Sequence, residues 1–161
     1  MSGKEQLLEV SMSISDFASE WLHCDRISSY IARIVSHNRA DSLLYANLLS
    51  SALNELLEIV FANHGPEGQL RCRISRAGPR DLIELRLPCD DKTLQFYNVA
   101  AARLGRPDVD EIYRGALFSP GAQDPHLGLF EVAVDYQARI SIQADADCLT
   151  LSAEMAIEGT Q

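Results

Sequence analysis

The feature that most limits how this chain can fold is an unbroken helical pattern over residues 43–62. Apolar side chains recur there at steps of three and four residues, which places them along one side of a helix of about five turns. Residues 40–42 supply a capping residue before the pattern, and residues 63–66 supply the turn chemistry that ends it. A stripe this long must be covered by another layer of structure. Its members are Leu49, Leu53, Leu56, Leu57 and Val60.

The order of the other segments indicates what that layer is. Two pairs of short segments with period-two alternation flank turn residues 77–81 and 145–147, as in β-hairpins. We therefore predict a single domain over residues 1–161, of the α/β (α+β) class. It is a two-layer sandwich with a mixed, mostly antiparallel sheet covered on one face by helices. The predicted strands are 7–14, 70–76, 82–87, 140–142 and 148–156, and the predicted helices are 16–39, 43–62, 91–104, 107–117 and 126–139.

Charge and composition argue against two classes of partner. The chain has 14 Lys and Arg against 23 Asp and Glu, a formal charge of -9, and no basic stretch interleaved with aromatic residues. We therefore expect no nucleic-acid partner. No apolar run reaches the ~20 residues that cross a bilayer, and the first residues lack a signal-peptide core, so we predict a cytoplasmic protein without a membrane partner. Four scattered cysteines are expected to be reduced and mostly buried: Cys24, Cys72, Cys89 and Cys148.

Polar side chains break the apolar character of the long helix. Asn54, Glu55 and Glu58 lie among its leucines. Steps of four residues put Glu55 and Ile59 on one line at the border of the apolar stripe. Periodicity alone leaves two interpretations open, because such a border position either faces water or faces a cleft.

Residues 50–64, SSALNELLEIVFANH, resemble the N-box helix of the histidine-kinase-like ATPase superfamily, which includes the anti-sigma-factor kinases. That helix carries the pattern Glu-x-x-x-Asn, in which the Glu orients or deprotonates the attacking group and the Asn holds Mg²⁺. Residues 124–138 resemble the lid and the glycine-containing turn of the superfamily, where backbone N–H groups receive phosphate. More narrowly, residues 94–117 and 126–142 resemble a small bacterial family of SiaB-like stand-alone kinase domains.

The resemblance implies a fold of the histidine-kinase-like ATPase type and a role for each matching residue. Glu55 matches the Glu and is the candidate base. Asp90, which is not followed by the glycines of the adenine-recognition motif, is a candidate nucleotide residue, together with Gly128 and Leu129 in the lid region. Ile59 stands where the superfamily has its Asn, and an apolar side chain cannot coordinate Mg²⁺, which prefers oxygen ligands. No metal site is therefore predicted.

With these departures, the resemblance implies a bacterial regulatory domain that binds another protein in a partner-switching circuit. Its ATP site is expected to be degenerate, as in a pseudokinase, and to need no cofactor. The expected partner is an anti-sigma-antagonist-like domain, a PP2C-type phosphatase module or a response regulator, and a homodimer is compatible with the resemblance. The alternative is an active SiaB-like protein serine/threonine kinase that uses ATP and Mg²⁺, with Glu55 as base, on an anti-sigma-antagonist-like partner.

Overall fold

The described part of the chain contains five strands and five helices. A computed structural model describes residues 3–15, 22–37, 39–63, 68–121 and 123–156. Residues 16–21 of the predicted first helix, and residues 64–66 of the predicted turn that ends the second helix, lie outside these ranges. The strands are β1 (Glu5–Ser13), β2 (Gln69–Ala77), β3 (Arg80–Pro88), β4 (Arg139–Asp145) and β5 (Cys148–Met155). The helices are α1 (Leu22–Ser36), α2 (Ser42–Asn63), α3 (Asp91–Leu104), α4 (Val109–Phe118) and α5 (Leu127–Asp135).

The strands form one sheet in the order β1-β2-β3-β5-β4, and every neighbouring pair is antiparallel. The predicted α+β sandwich is confirmed at this level, but the predicted mixed sheet is wrong for the described strands. Two helices, α1 and α2, separate β1 from β2 and return the chain in the opposite direction. Strand β4 runs parallel to β3, yet β5 lies between them, so no parallel pair forms.

The core lies between one face of the sheet and the helices. Alternate residues of β2, β3 and β5 are buried, as period-two patterning requires. The predicted stripe of α2 is buried in full, and Tyr45, Ala52 and Ile59 join it. Helix α2 is long and apolar enough, by length and composition, to cross a membrane. Its burial in the core accounts for that composition here.

The turns follow the predicted chemistry, whereas helices α1 and α5 end three and four residues earlier than predicted. Gly78, with φ +60, and Pro79 connect β2 to β3, and Ala146, with φ 50, helps connect β4 to β5. Helix α5 was predicted to reach residue 139 but ends at Asp135, because Gln137 adopts φ 52 and the chain then enters β4. All four cysteines are free; Cys24 and Cys72 are buried, and Cys89 and Cys148 are half-buried.

A buried ion pair ties the β2–β3 hairpin to the start of α2. Asp81 is 1% exposed, and its Oδ1 accepts a hydrogen bond of 2.8 Å from Arg76 Nε. Arg76 Nη2 also donates to Tyr45 Oη at 3.0 Å, and Arg39 lies over the Tyr45 ring at 4.1 Å from its centroid. Asp81 is therefore held by the Arg76 guanidinium and by a hydrogen bond with the Tyr45 side chain.

We expect Asp81→Ala to lower the free energy of unfolding by about 2–3 kcal/mol, because it leaves the Arg76 guanidinium partly buried without its carboxylate. Chemical denaturation measures this change. Asp145→Ala, which removes an exposed carboxylate at a hairpin, is the matched control and should cost less than about 0.5 kcal/mol. Equal losses for the two variants would contradict a structural role for Asp81.

Candidate functional site

A cleft of about 290 Å³ opens between the second half of α2 and the segment that leads into α5. Helix α2 contributes residues spaced by three or four positions, which share one side of the helix. The residues from the other wall belong to the loop before α5 and to its first turn. The lining residues are Glu55, Glu58, Ile59, Ala62 and Asn63 from α2, and Gln123, Asp124, Pro125, Leu127 and Gly128 opposite.

Ile59 closes the bottom of this cleft by packing against Gly128. Ile59 is 6% exposed, so its side chain belongs to the core. A Cβ atom added at Gly128 would lie 2.8 Å from Ile59 Cδ1 and 3.2 Å from Glu55 Oε2. The glycine is therefore required by the close approach of α2 and α5. Three residues that the sequence singled out, Glu55, Ile59 and Gly128, are brought together at this point.

Glu55 faces a second carboxyl group across the helix interface. Its side chain is half-buried and within hydrogen-bonding reach of Glu131 on α5. Burial, followed by the negative charges of Glu131 and Glu58, raises the pKa of Glu55 to about 7. Burial also raises the pKa of Glu131. The pKa of Glu55 therefore lies close to neutral pH, and its carboxyl group is within hydrogen-bonding reach of Glu131.

Further carboxylates surround this pair, and each is held by a neighbour. Asn54 Nδ2 donates a hydrogen bond of 3.3 Å to Glu58 Oε1, so these two polar residues of α2 are partners of each other. Tyr113 Oη on α4 donates to Asp135 Oδ2 at 2.8 Å. Burial raises the pKa of Tyr113, and its hydrogen bond to Asp135 adds to the shift. No Lys or Arg lines the cleft within the ranges that the structure describes, so the cleft is acidic.

The loop wall of the cleft is fixed by Arg103 in the last turn of α3. Its guanidinium donates two hydrogen bonds to Asp124, of 2.9 and 2.7 Å, and lies 2.8 Å from His126 Nδ1. It also lies 4.6 Å above the ring of Phe130. The hydrogen bond from Arg103 lowers the pKa of Asp124, and burial lowers the pKa of His126. The Arg103 guanidinium is therefore bound to Asp124 and His126, and Arg103 is not among the residues that line the cleft.

The other predicted site residues lie elsewhere. Asp90 caps the N-terminus of α3, where its Oδ1 accepts a hydrogen bond of 2.7 Å from the Thr93 amide. That end of the helix is about 20 Å from Arg103, so Asp90 is not part of the cleft. Leu129 is fully buried in the core, and only its backbone could meet a ligand.

Sequence reasoning missed Glu131 and Arg103. A carboxylate four positions before Asp135 and an arginine near a helix end carry no motif, so neither residue stood out in the sequence. Their importance comes from elements that are distant along the chain: Arg103 meets a loop some twenty residues later, and Glu131 meets α2.

No protein-family model matches this chain, and no curated protein matches its sequence.

A double-mutant cycle tests the contact between Ile59 and Gly128. We expect Gly128→Ala to lower the free energy of unfolding in both backgrounds. The loss should be at least about 1 kcal/mol smaller in the Ile59→Ala background than in the wild type, because the shorter side chain at position 59 leaves room for the new Cβ. Chemical denaturation of the four proteins gives the coupling energy. Additive effects would contradict the close approach of α2 and α5.

The pKa of Glu55 predicts a pH-dependent effect of Glu55→Gln. Because folding raises this pKa from its ordinary 4.5 to about 7, ionisation of Glu55 lowers the stability of the fold. The loss of stability grows between pH 4.5 and about pH 7 and is complete above about pH 7. After allowance for solvent screening, the variant should be about 1–2 kcal/mol more stable than wild type at pH 8 and nearly equal at pH 4.5. Thermal unfolding across pH measures this, with the exposed Glu111→Gln as control. A Glu55→Gln variant that is less stable than wild type at pH 8 would contradict the raised pKa of Glu55.

Proposed function

We propose that this protein is a cytoplasmic regulatory domain that acts by binding another protein, in a partner-switching type of circuit, and that its nucleotide site is degenerate. The observation that carries the proposal is the packing of Ile59 on Gly128. By the resemblance of residues 50–64 to the N-box helix of the histidine-kinase-like ATPases, Ile59 corresponds to the Asn that holds Mg²⁺ there, and a buried apolar side chain cannot supply that oxygen ligand.

The residues of the cleft do not fit a magnesium nucleotide. Phosphoryl transfer depends on cations that neutralise the phosphates and on a metal held in position. Here Glu55, Glu58 and Asp124 line the cleft, and the nearby guanidinium of Arg103 is bound to Asp124. A triphosphate would meet negative charge on both walls. We therefore assign no step of chemistry to a nucleotide in this cleft.

Binding of a protein is supported by apolar side chains that the helices leave in solvent. On α1, Tyr30 is 61% exposed and Ile34, one turn later, is 42% exposed. At the end of α4, Phe118 is 84% exposed next to the partly exposed Leu117. Neighbouring exposed apolar groups are typical of protein contact surfaces. The partner we favour is an anti-sigma-antagonist-like domain, with a PP2C-type phosphatase module or a response regulator as the other classes.

One observation favours the alternative, an active protein serine/threonine kinase. A general base works best when its pKa is near the working pH, and the pKa of Glu55 is about 7. Glu55 would accept the proton of an attacking hydroxyl group. The same pKa follows from the burial of Glu55 and its closeness to Glu131, so it does not require catalysis.

The two proposals predict opposite results in one set of measurements. We expect titration calorimetry to detect no Mg²⁺-dependent binding of ATP or ADP up to about 1 mM nucleotide. We expect a purified anti-sigma-antagonist-like domain from the same organism to bind without nucleotide, and equally to wild type and Glu55→Gln, because the cleft takes no part in phosphoryl transfer.

The active-kinase proposal requires a different pattern. Mg²⁺-dependent nucleotide binding that survives Glu55→Gln, together with phosphoryl transfer to the partner that this substitution abolishes, would establish a working enzyme. Glu111→Gln, on the exposed surface of α4, is the control for the change in charge.

A further inference from the structure

The face of the sheet that the helices leave open carries two arginines side by side. Arg71 on β2 and Arg86 on β3 are direct partners in the antiparallel register, and both are exposed. Directly opposed residues have Cβ atoms about 5 Å apart, and like charges at such positions are unfavourable. The chain as a whole has a charge of -9, so this concentration of positive charge runs against its overall balance.

Neither arginine is neutralised from within the described residues. Other basic side chains on the same sheet have acidic partners: Lys4 binds Glu84, and Arg73 binds Glu9. Within the part of the chain that the structure describes, Arg71 and Arg86 form no hydrogen bond or ion pair with any side chain. The acids nearest along the strands are thus already paired with other bases.

The two guanidinium groups border a cavity of about 510 Å³ on this open face. Ser11 lies beside Arg71 in the register of β1 and β2, and Gln69 lies two residues before it, so a hydroxyl and an amide donor stand next to the arginines. Pro88 and Cys148, also partners in register, border the cavity from β3 and β5. Five-donor guanidinium groups with neighbouring hydroxyl and amide donors suit an oxyanion.

We propose that Arg71 and Arg86 form a binding site for a phosphate monoester carried by a serine or threonine of a partner protein. A phosphate monoester carries a charge of about -1.5 to -2, which matches two guanidinium groups better than a single carboxylate does. The oxyanion chemistry rests on the two arginines alone, whereas the protein carrier rests on the proposed function. The site lies on the opposite face of the sheet from the helices and is independent of the Glu55 cleft.

The dimensions of the positive region favour a single phosphate over a nucleic acid. The neighbouring row of the sheet, one pleat repeat or about 7 Å away, contains Glu9, Arg73 and Glu84 in register. A nucleic acid presents a continuous series of phosphates, but the only basic side chain of this neighbouring row in register, Arg73, is already paired with Glu9. On that side of the arginines, the unpaired positive charge therefore suits one phosphate better than a series of phosphates.

Titration of the full chain with a short phosphoserine peptide, flanked by glycine and alanine, tests the proposal. We expect saturable binding, at least tenfold tighter than that of the same peptide with unmodified serine, and competition by inorganic phosphate. Arg71→Gln and Arg86→Gln should each weaken binding at least tenfold, and Arg71→Lys should weaken it less because the charge remains. Arg73→Gln, on the same face but paired with Glu9, should change affinity less than twofold.

Thermal unfolding shows whether the variants fold. Because the two arginines repel each other, Arg86→Gln should melt at the same temperature as wild type or higher. Equal binding of the phosphorylated and unmodified peptides, or an equal loss with Arg73→Gln, would overturn the proposal. So would tighter binding of a single-stranded oligonucleotide than of the phosphopeptide, which would assign the site to nucleic acid. Nucleotide binding at the Glu55 cleft would contradict the proposed function and leave this site intact.

Discussion

The burial of one side of α2 is the interaction on which the rest of the structure depends. Its stripe of leucines needs an apolar surface, and the inner face of the antiparallel sheet provides one. Because α2 lies at the centre, α1 and α5 pack on its two flanks and the order of the layers follows. The Tyr45 end of the helix is also held to the β2–β3 hairpin through Arg76 and Asp81.

The same packing creates the electrostatics of the cleft. When α2 meets α5 at Gly128, the two helices approach closely enough to place Glu55 beside Glu131. Burial and the neighbouring negative charges disfavour the ionised form of Glu55, so its pKa is raised to about 7. Ile59 fills the space beneath them. In the proposed function, the acidic residues that line the cleft disfavour a bound polyphosphate, and Glu55 remains the candidate base of the alternative.

The two faces of the sheet differ in what they offer to a ligand. The helical side presents an acidic cleft, and the nearby guanidinium of Arg103 is bound to Asp124. The open side presents Arg71 and Arg86 without acidic partners in the described residues. We propose that the acidic cleft no longer binds a nucleotide and that the open face recognises a phosphorylated partner, and the sheet lies between these two sites.

The elements, their order and the buried stripe of α2 could be predicted from the sequence, because period-two and helical patterns are set by local geometry. The four-residue spacing of Glu55 and Ile59 also put them on one line of α2. The antiparallel pairing of all neighbouring described strands, the contact of Gly128 with Ile59 and the position of Asp90 outside the cleft depend on how the elements pack together, so the sequence did not predict them. The pairings of Glu55 with Glu131 and of Arg71 with Arg86 join residues from separate elements, and periodicity along one segment carries no information about such contacts.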